Sequence, residues 1–369
     1  MRKAVIGIMA LTMLLTLSAC DKGDISVSEQ PPTVSNTGMA DASAPKSRAE
    51  NVKMEASTAG LAMFEERELR SYPACLTEMD VMLAKKIFLK GKEITSVQSM
   101  PDVYICSTSD ADTLRINDKG FLSYCTDSYT QSISSVTRFL EGDYIYSGDE
   151  YLSDQNLPFM TQEEARAEAI SLLESLHIEN MEVQKLYVLA DGLVLKANNA
   201  DGSAEESNNS VSEDVQGDGW KDCYYLSLRE KIDDIDLMDM PNGNPDGDAY
   251  VTGVSAQIVL SADGVEYFSL DGHYSITAEG TGGKTVSIQD AVAAVKEKYA
   301  RQTLDRPIAI REISMSYAPR AVNKEQNEYE LVPVWLFKTS QEIQAINAEN
   351  AEEKTAYLLI DARTGEELS

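Results

Sequence analysis

A helix-opening signature occurs twice in this chain, and strand-like runs follow it both times. Thr161-Gln162-Glu163-Glu164-Ala165 and Ser287-Ile288-Gln289-Asp290-Ala291 each place a hydroxyl at a helix N-cap and an acid three residues on. The hydroxyl oxygen accepts from a first-turn amide that no carbonyl within the helix can reach, so helix entry is favoured there. Behind the first cap, Ala165, Ala169, Leu172, Leu173 and Leu176 recur at helical spacing; behind the second, Ile288, Ala291, Val292, Val295 and Tyr299 do. A helix with one apolar stripe must bury it, and the following runs supply a sheet to bury it against. These are MEVQKLYVLA, DCYYLSLRE, VSAQIVLS and VEYFSLDGHYSIT after the first helix, then IAIREISMSY, EYELVPVWLFK and TAYLLIDA after the second. The pattern predicts an α+β chain with two repeated units, 158–277 and 284–369, each a helix packed on antiparallel strands.

Residues 60–157 predict a separate N-terminal α+β unit. MDVMLAKKIFL suits a helix, and DVYICSTS, TLRIN and GFLSYCTDSY suit short strands. Residues 198–219 are polar and rich in Asn, Asp, Gly and Ser, which predicts a disordered insert in the first repeat. The glycines of Ala278–Lys284 predict a linker between the repeats.

The first twenty residues predict an address. MRK precedes an uncharged, mostly apolar run from Ala4 to Thr16, too short to span a bilayer comfortably. Leu17-Ser18-Ala19-Cys20 then resembles a bacterial lipobox, which implies removal of a signal peptide, 1–19, and a diacylglycerol on the Cys20 thiol. Residues 20–59 hold too few large apolar side chains to offset the entropy of ordering, so a lipidated, disordered tether is expected. The expected location is extracytoplasmic, anchored to the membrane through Cys20. With 61 Asp+Glu against 32 Lys+Arg, a formal charge of −29 argues against nucleic acid and against charge-driven binding to anionic lipid.

Motifs with possible chemistry are few. Ala278-Glu-Gly-Thr-Gly-Gly283-Lys284-Thr285 matches a relaxed phosphate loop, but the cap at Ser287 starts the helix beyond the lysine. The phosphates would then miss the helix amides, so no nucleotide is expected. Asn242, Asn244, Asp246 and Asp248 echo the ligand spacing of a calcium loop, yet the twelfth position is Gly253 where a bidentate glutamate is needed. His177 and His273 have no sequence companion at metal or triad spacing, and HExxH, GxSxG and SxxK motifs are absent from the sequence. Cys106 and Cys125 flank a predicted hairpin and are a possible disulfide, with connectivity left open by spacing alone. Tyr317, Tyr329 and Trp335 suit either a binding groove or, for Trp335 in its apolar strand, the core. Asp361, with Thr364 and Gly365 after it, lacks the contiguous Asp-Thr-Gly of aspartic proteases; a side-chain-capped structural turn is expected instead.

The stretches Ser287-Ile-Gln-Asp-Ala-Val-Ala-Ala and Ile360-Asp361-Ala362-Arg363-Thr364-Gly365-Glu366 resemble the opening helix and closing strand of a PepSY-type domain, and Leu331–Trp335 is similar to a subset found in Gram-positive lipoproteins. The resemblance covers 284–369 and extends more weakly over 160–277. The chain departs from the compact pattern in a long loop from Ser340 to Lys354. The resemblance implies tandem PepSY-like units without catalytic residues or cofactors of their own. The expected function is therefore a protein-binding or regulatory module that restrains a peptidase or an envelope sensor. The alternatives are an envelope hydrolase with an acidic cleft and a passive ligand- or calcium-binding lipoprotein.

Overall fold

The computed structural model describes residues 51–137, 140, 151–190, 221–239, 253–302, 304, 306–343 and 352–368, apart from 66 and 118. The signal peptide, Cys20, most of the expected tether, the 198–219 insert and the loop with Asn242, Asn244, Asp246 and Asp248 lie outside the described residues. The fold is α+β, with two sheets dominated by antiparallel pairs.

In chain order the first elements are β1 (Val52–Met54), α1 (Ala62–Glu65), β2 (Glu68–Leu76), α2 (Val81–Phe88), β3 (Ile94–Met100), β4 (Val103–Thr108), β5 (Thr113–Asn117) and β6 (Phe121–Cys125). A π-helical turn at Tyr129–Ile133 runs into α3 (Ser134–Thr137). Next come α4 (Gln162–Ser175), β7 (Met181–Leu189), β8 (Cys223–Ile232), β9 (Ile235–Asp236), β10 (Ala256–Ser261) and β11 (Gly264–Asp271). The last are β12 (Tyr274–Ile276), β13 (Thr281–Lys284), α5 (Ile288–Ala300), β14 (Ile308–Asn323), β15 (Glu328–Ile343) and β16 (Glu352–Asp361).

Both helix starts carry their caps. Thr161 accepts from the Glu164 amide while the Glu164 carboxylate accepts from the Thr161 amide, closing a capping box. Ser287 accepts from the Asp290 amide in the same way. Each helix then buries its stripe: Ala165, Ala169 and Leu173 on α4, and Ile288, Ala291, Val292, Val295 and Tyr299 on α5. A helix followed by an antiparallel meander is thus built twice, as α4 with β7, β8, β10 and β11 and as α5 with β14, β15 and β16.

The nine-stranded sheet runs β3-β4-β5-β6-β11-β10-β8-β7, with β9 folded back on β8. One face buries α2 and α4 through Phe88, Leu114, Tyr124, Ala169 and Phe268. The opposite face sets Tyr187, Tyr225 and Val259 against Ile133 and Leu140. The seven-stranded sheet is built around the β14–β15 hairpin, whose strands are 16 residues each. β1 lies parallel on the base of β14, and β16 pairs with the base of β15. Nearer the hairpin tip β2 takes over the edge of β15, and β12 and β13 line the far side of β2. Trp335, Phe337 and Ile310 bury the stripe of α5.

Four sequence boundaries differ from this arrangement. Order begins well before 59: Val52–Met54 pair with Ile308–Ile310, and Val52, Ala56 and Leu61 pack against the core. The stretch 60–157 does not form a sheet of its own. β2 belongs to the seven-stranded sheet, whereas β3–β6 join the other sheet through five β6–β11 pairs from Phe121↔Asp271 to Cys125↔Tyr267. Thr281–Lys284 is no linker but a strand, β13, lying along Glu68–Ser71. The glycines there permit close approach: a Cβ on Gly280 would come within 2.5 Å of the Tyr72 ring, and one on Gly283 within 3.3 Å of the Arg363 stem. The Ser340–Lys354 departure is, where described, a continuation of the hairpin, with Ser340–Ile343 paired to Glu352–Thr355.

The end of β16 is tied down by one carboxylate. Asp361 is 3 % exposed, and its Oδ1 accepts from the amides of Arg363 at 2.8 Å and Thr364 at 3.3 Å. The Gly365 amide donates to the Asp361 carbonyl at 2.9 Å, and Gly365 takes φ +76°, which a side chain would resist. The turn aims Arg363 at Ser71 of β2, 2.7 Å away, and towards Glu330 of β15. Glu330 also accepts from Ser71 and pairs with Arg320. Burial alone would raise the Glu330 carboxyl, but the Ser71 hydroxyl and the charges of Arg320 and Arg363 more than offset it and hold Glu330 below its ordinary value.

Asp361→Ala is expected to cost about 2 kcal/mol in urea denaturation, since two turn amides lose their acceptor, and Asp361→Asn about half as much. An alanine variant as stable as the parent would rule this role out. Because Glu330 is depressed in the folded state, its stabilisation is complete above the ordinary glutamate value of 4.5 and is lost as pH falls through the folded value. Between about pH 5 and about pH 3 the melting temperature of Glu330→Gln should therefore fall less than that of the parent.

Candidate functional site

Buried acids are the first places to look for chemistry, and the fold gives each a structural partner. Asp112, at the β4–β5 turn, is paired with Lys92 and receives the Tyr124 hydroxyl at 3.3 Å. Glu266 on β11 accepts from Lys221 at 2.7 Å, Ser261 at 2.6 Å and Thr126. Glu230 on β8 lies 2.9 Å from Nδ1 of His273, and both are buried. Asp361 is committed to its turn. Among the described residues none of these four carboxylates contacts another, so no acid/base pair of the glycosidase type is assembled from them. His273 has gained a companion that its sequence neighbours do not offer. It sits in the short crossing from β11 to β12, where the chain leaves one sheet for the other, and not within a strand.

The remaining candidates separate in the same way. His177 is exposed at the end of α4 with φ +62°, a helix-terminating conformation. Tyr317 and Trp335 are fully buried, and the Trp335 indole donates to the Val286 carbonyl at 3.2 Å; Tyr329 is half-buried against Tyr274. A depression of about 400 Å³ beside α4 has Ile170, Leu173 and Met181 in its wall and the exposed Glu174 and Glu179 at its rim. No group of His, Cys, Asp and Glu suited to a metal ion occurs among the described residues.

The Cys106–Cys125 disulfide is corrected by the register. Cys106 pairs with Leu114, which pairs with Tyr124, so these three share the core-facing side of the sheet. Cys125 pairs with Thr113 and points to the other side, two strands away. Two interstrand steps span roughly 10 Å, beyond disulfide reach even on a shared face. All four described cysteines are free thiols. Burial pushes the Cys125 and Cys223 thiols up, which makes them poor nucleophiles.

What stands apart is β3, a strand the sequence reading passed over. Ile-Thr-Ser-Val-Gln-Ser-Met is uncharged, rich in β-forming residues and ends at Pro101-Asp102, which makes the turn into β4. That composition and that turn were the available signal. All seven residues are exposed, with Val97 at 52 % and Met100 at 53 %. β3 pairs with β4 and ends the nine-stranded sheet; its outer edge has no strand partner among the described residues. The other long edges carry charges that discourage pairing: Glu182 and Lys185 on β7, and Glu353 and Lys354 on β16. β3 has none.

The ladder also sets which side chains share a face. Ile94, Val97 and Ser99 lie opposite Thr108, Cys106 and Tyr104, and Cys106 belongs to the core under α2. A bulge between Ile94 and Ser96 brings Ile94 to the same side as Val97. β3 therefore extends the helix-bearing face of the sheet past the last helix, with two apolar side chains uncovered.

Neither a family model nor a curated protein matches the chain. Among solved structures, the chain is similar to an uncharacterized protein from Eubacterium rectale ATCC 33656, with a TM-score of 0.59 and 19% identity over 82% of this chain and 86% of that one. At that identity the likeness shows the fold. Among the described residues no helix is long and apolar enough to cross a membrane.

Proposed function

We propose that this protein is an extracytoplasmic lipoprotein, held to the membrane through Cys20, that binds and regulates another envelope protein. The observation that carries the reading is β3: a seven-residue edge, uncharged, uncovered on both faces and free to accept a further strand. Main-chain groups along such an edge supply affinity, and alternate side chains supply selectivity. The helix-and-meander plan built twice supports the finer reading of tandem PepSY-like units over 158–277 and 284–369. The long neutral edge belongs to neither unit; it comes from the N-terminal strands that extend the first meander.

Two measurements test this. Cys20→Ala should move the protein from the membrane fraction to the soluble fraction of cells; unchanged membrane retention would remove the anchor. A photo-crosslinking residue at Val97 in the lipidated full-length chain should join a defined envelope protein, whereas one at the still more exposed Val322, on the other sheet, should not. Equal yields at the two positions, or none at Val97, would overturn β3 as the binding site.

A further inference from the structure

Resting on that reading, we infer that β3 accepts an extended segment whose uncharged, alternating core is bracketed by lysines or arginines. The edge is neutral, but its ends are not. Glu93 immediately precedes β3, Asp102 lies in the turn after it, and Asp110 follows the strand partner of Ile94 by two residues. All three carboxylates are exposed, and no ion pair reaches them among the described residues. Of the cations nearby, Lys92 is drawn inward to Asp112 and Tyr124 and the Lys85 ammonium lies over the Tyr104 ring, while Lys90 is exposed three residues before Glu93. An incoming strand thus meets a neutral stretch of seven residues with negative charge at both ends.

The faces set the rest of the pattern. Ile94 and Val97 share the helix-bearing side, so the segment's apolar side chains belong on that side, where they continue the core that holds Tyr104 and Phe88. Ser96, Gln98 and Met100 look to the opposite side, where hydroxyl or amide partners suit the first two and an apolar side chain suits Met100 at the end of the strand. A second copy of this chain is a poor occupant. It would bring its own acids to both ends and a second charge of −29.

The test uses the full-length chain in detergent and fluorescent peptides with an alternating Val/Thr core of the length of β3. One peptide carries paired lysines at both ends and the other paired glutamates. The lysine-flanked peptide should bind at least about tenfold more tightly at low salt, and the ratio should collapse at about 0.5 M salt. Joint replacement of Glu93→Gln, Asp102→Asn and Asp110→Asn should remove the same preference without touching the fold, since their one side-chain hydrogen bond among the described residues is a long one from the Ser109 hydroxyl to Asp110 at 3.4 Å, which an amide oxygen can still accept. Val97→Lys should weaken both peptides. Equal binding of the two peptides, or a preference that survives the triple replacement, would overturn the inference. So would sedimentation showing self-association that Val97→Lys abolishes, which would put a second copy on the strand. If crosslinks from Val97 reach a partner at an acidic or helical segment, β3 remains a binding site and only this partner chemistry fails. If Val97 yields no crosslink, both fail.

Discussion

The two sheets meet at the tip of a tight hairpin, where one carboxylate gathers donors from the neighbouring sheet. β8 and β9 are joined by Asp233 and Asp234, with Ile232 paired to Ile235 across the turn, and both aspartates have left-handed φ, 51° and 63°. A two-residue hairpin turn of this kind suits the twist of the strands but asks both residues to adopt a conformation that costs a side-chain-bearing residue about 1 kcal/mol or more. The offset comes from the neighbouring sheet. Tyr72 of β2 donates to Asp233 Oδ2 at 2.7 Å and Tyr317 of β14 donates to the same oxygen at 3.1 Å, while Arg67 donates to the Asp233 carbonyl at 2.8 Å. Burial and the Asp233 charge together push the Tyr72 phenol to about 12 and drive Tyr317 higher still, so both remain donors at any physiological pH. Just past the tip, Leu237 bridges Tyr317 and the Met238 amide donates to the Tyr317 carbonyl, so β9 is stitched to the middle of the β14–β15 hairpin. The His273–Glu230 pair sits at the other end of β8 from Cys223, close to this tip in sequence and at the crossing from β11 to β12. Registry between the sheets therefore rests on the polar contacts at Asp233, on the Leu237–Tyr317 bridge, and on the apolar core that Ile232, Ile235 and Leu237 share with Ile310 and Trp335.

What could be read in advance follows from distance along the chain. Thr161 with Glu164 and Ser287 with Asp290 act across a single helical turn, so both caps and the stripes behind them were legible. Asp361 with Gly365 is equally local, and the turn's residue types announce it. β2 is the opposite case. Its last residue exchanges hydrogen bonds with the side chain of Asn327, 251 positions away, and no local pattern in Glu68–Leu76 names that partner. Gly280 and Gly283 looked like a linker because glycine signals either freedom or closeness, and only the positions of Tyr72 and Arg363 decide between them. Cys106 and Cys125 looked pairable because sequence spacing carries neither the intervening strand β5 nor the alternation of faces. β3 escaped notice for a related reason: with every side chain exposed, it lacks the buried alternation that marks a strand.

The exposure of β3 bears on function. A strand that covers no core of its own gains little from apolar burial, so β3 is held by its ladder to β4 and by the stiffness of the sheet behind it. Its uncovered Ile94 and Val97 leave hydrophobic stabilisation unrealised in the free protein, and a bound strand would gain it. An open neutral edge also carries a risk, because it is a template for copies of the same chain. The usual remedy, a lysine or proline within the strand, is absent from Ile94–Met100. The charge lies elsewhere: at Glu93, Asp102 and Asp110 around the edge and in the net −29 of the whole chain, which opposes association of like molecules. A charge inside the strand would have to be desolvated by any pairing segment, whereas acids at its ends disfavour copies of this chain and leave the ladder open to a segment of opposite sign. Protection against self-pairing and selection of a partner are then the same electrostatic term, acting on one uncovered strand.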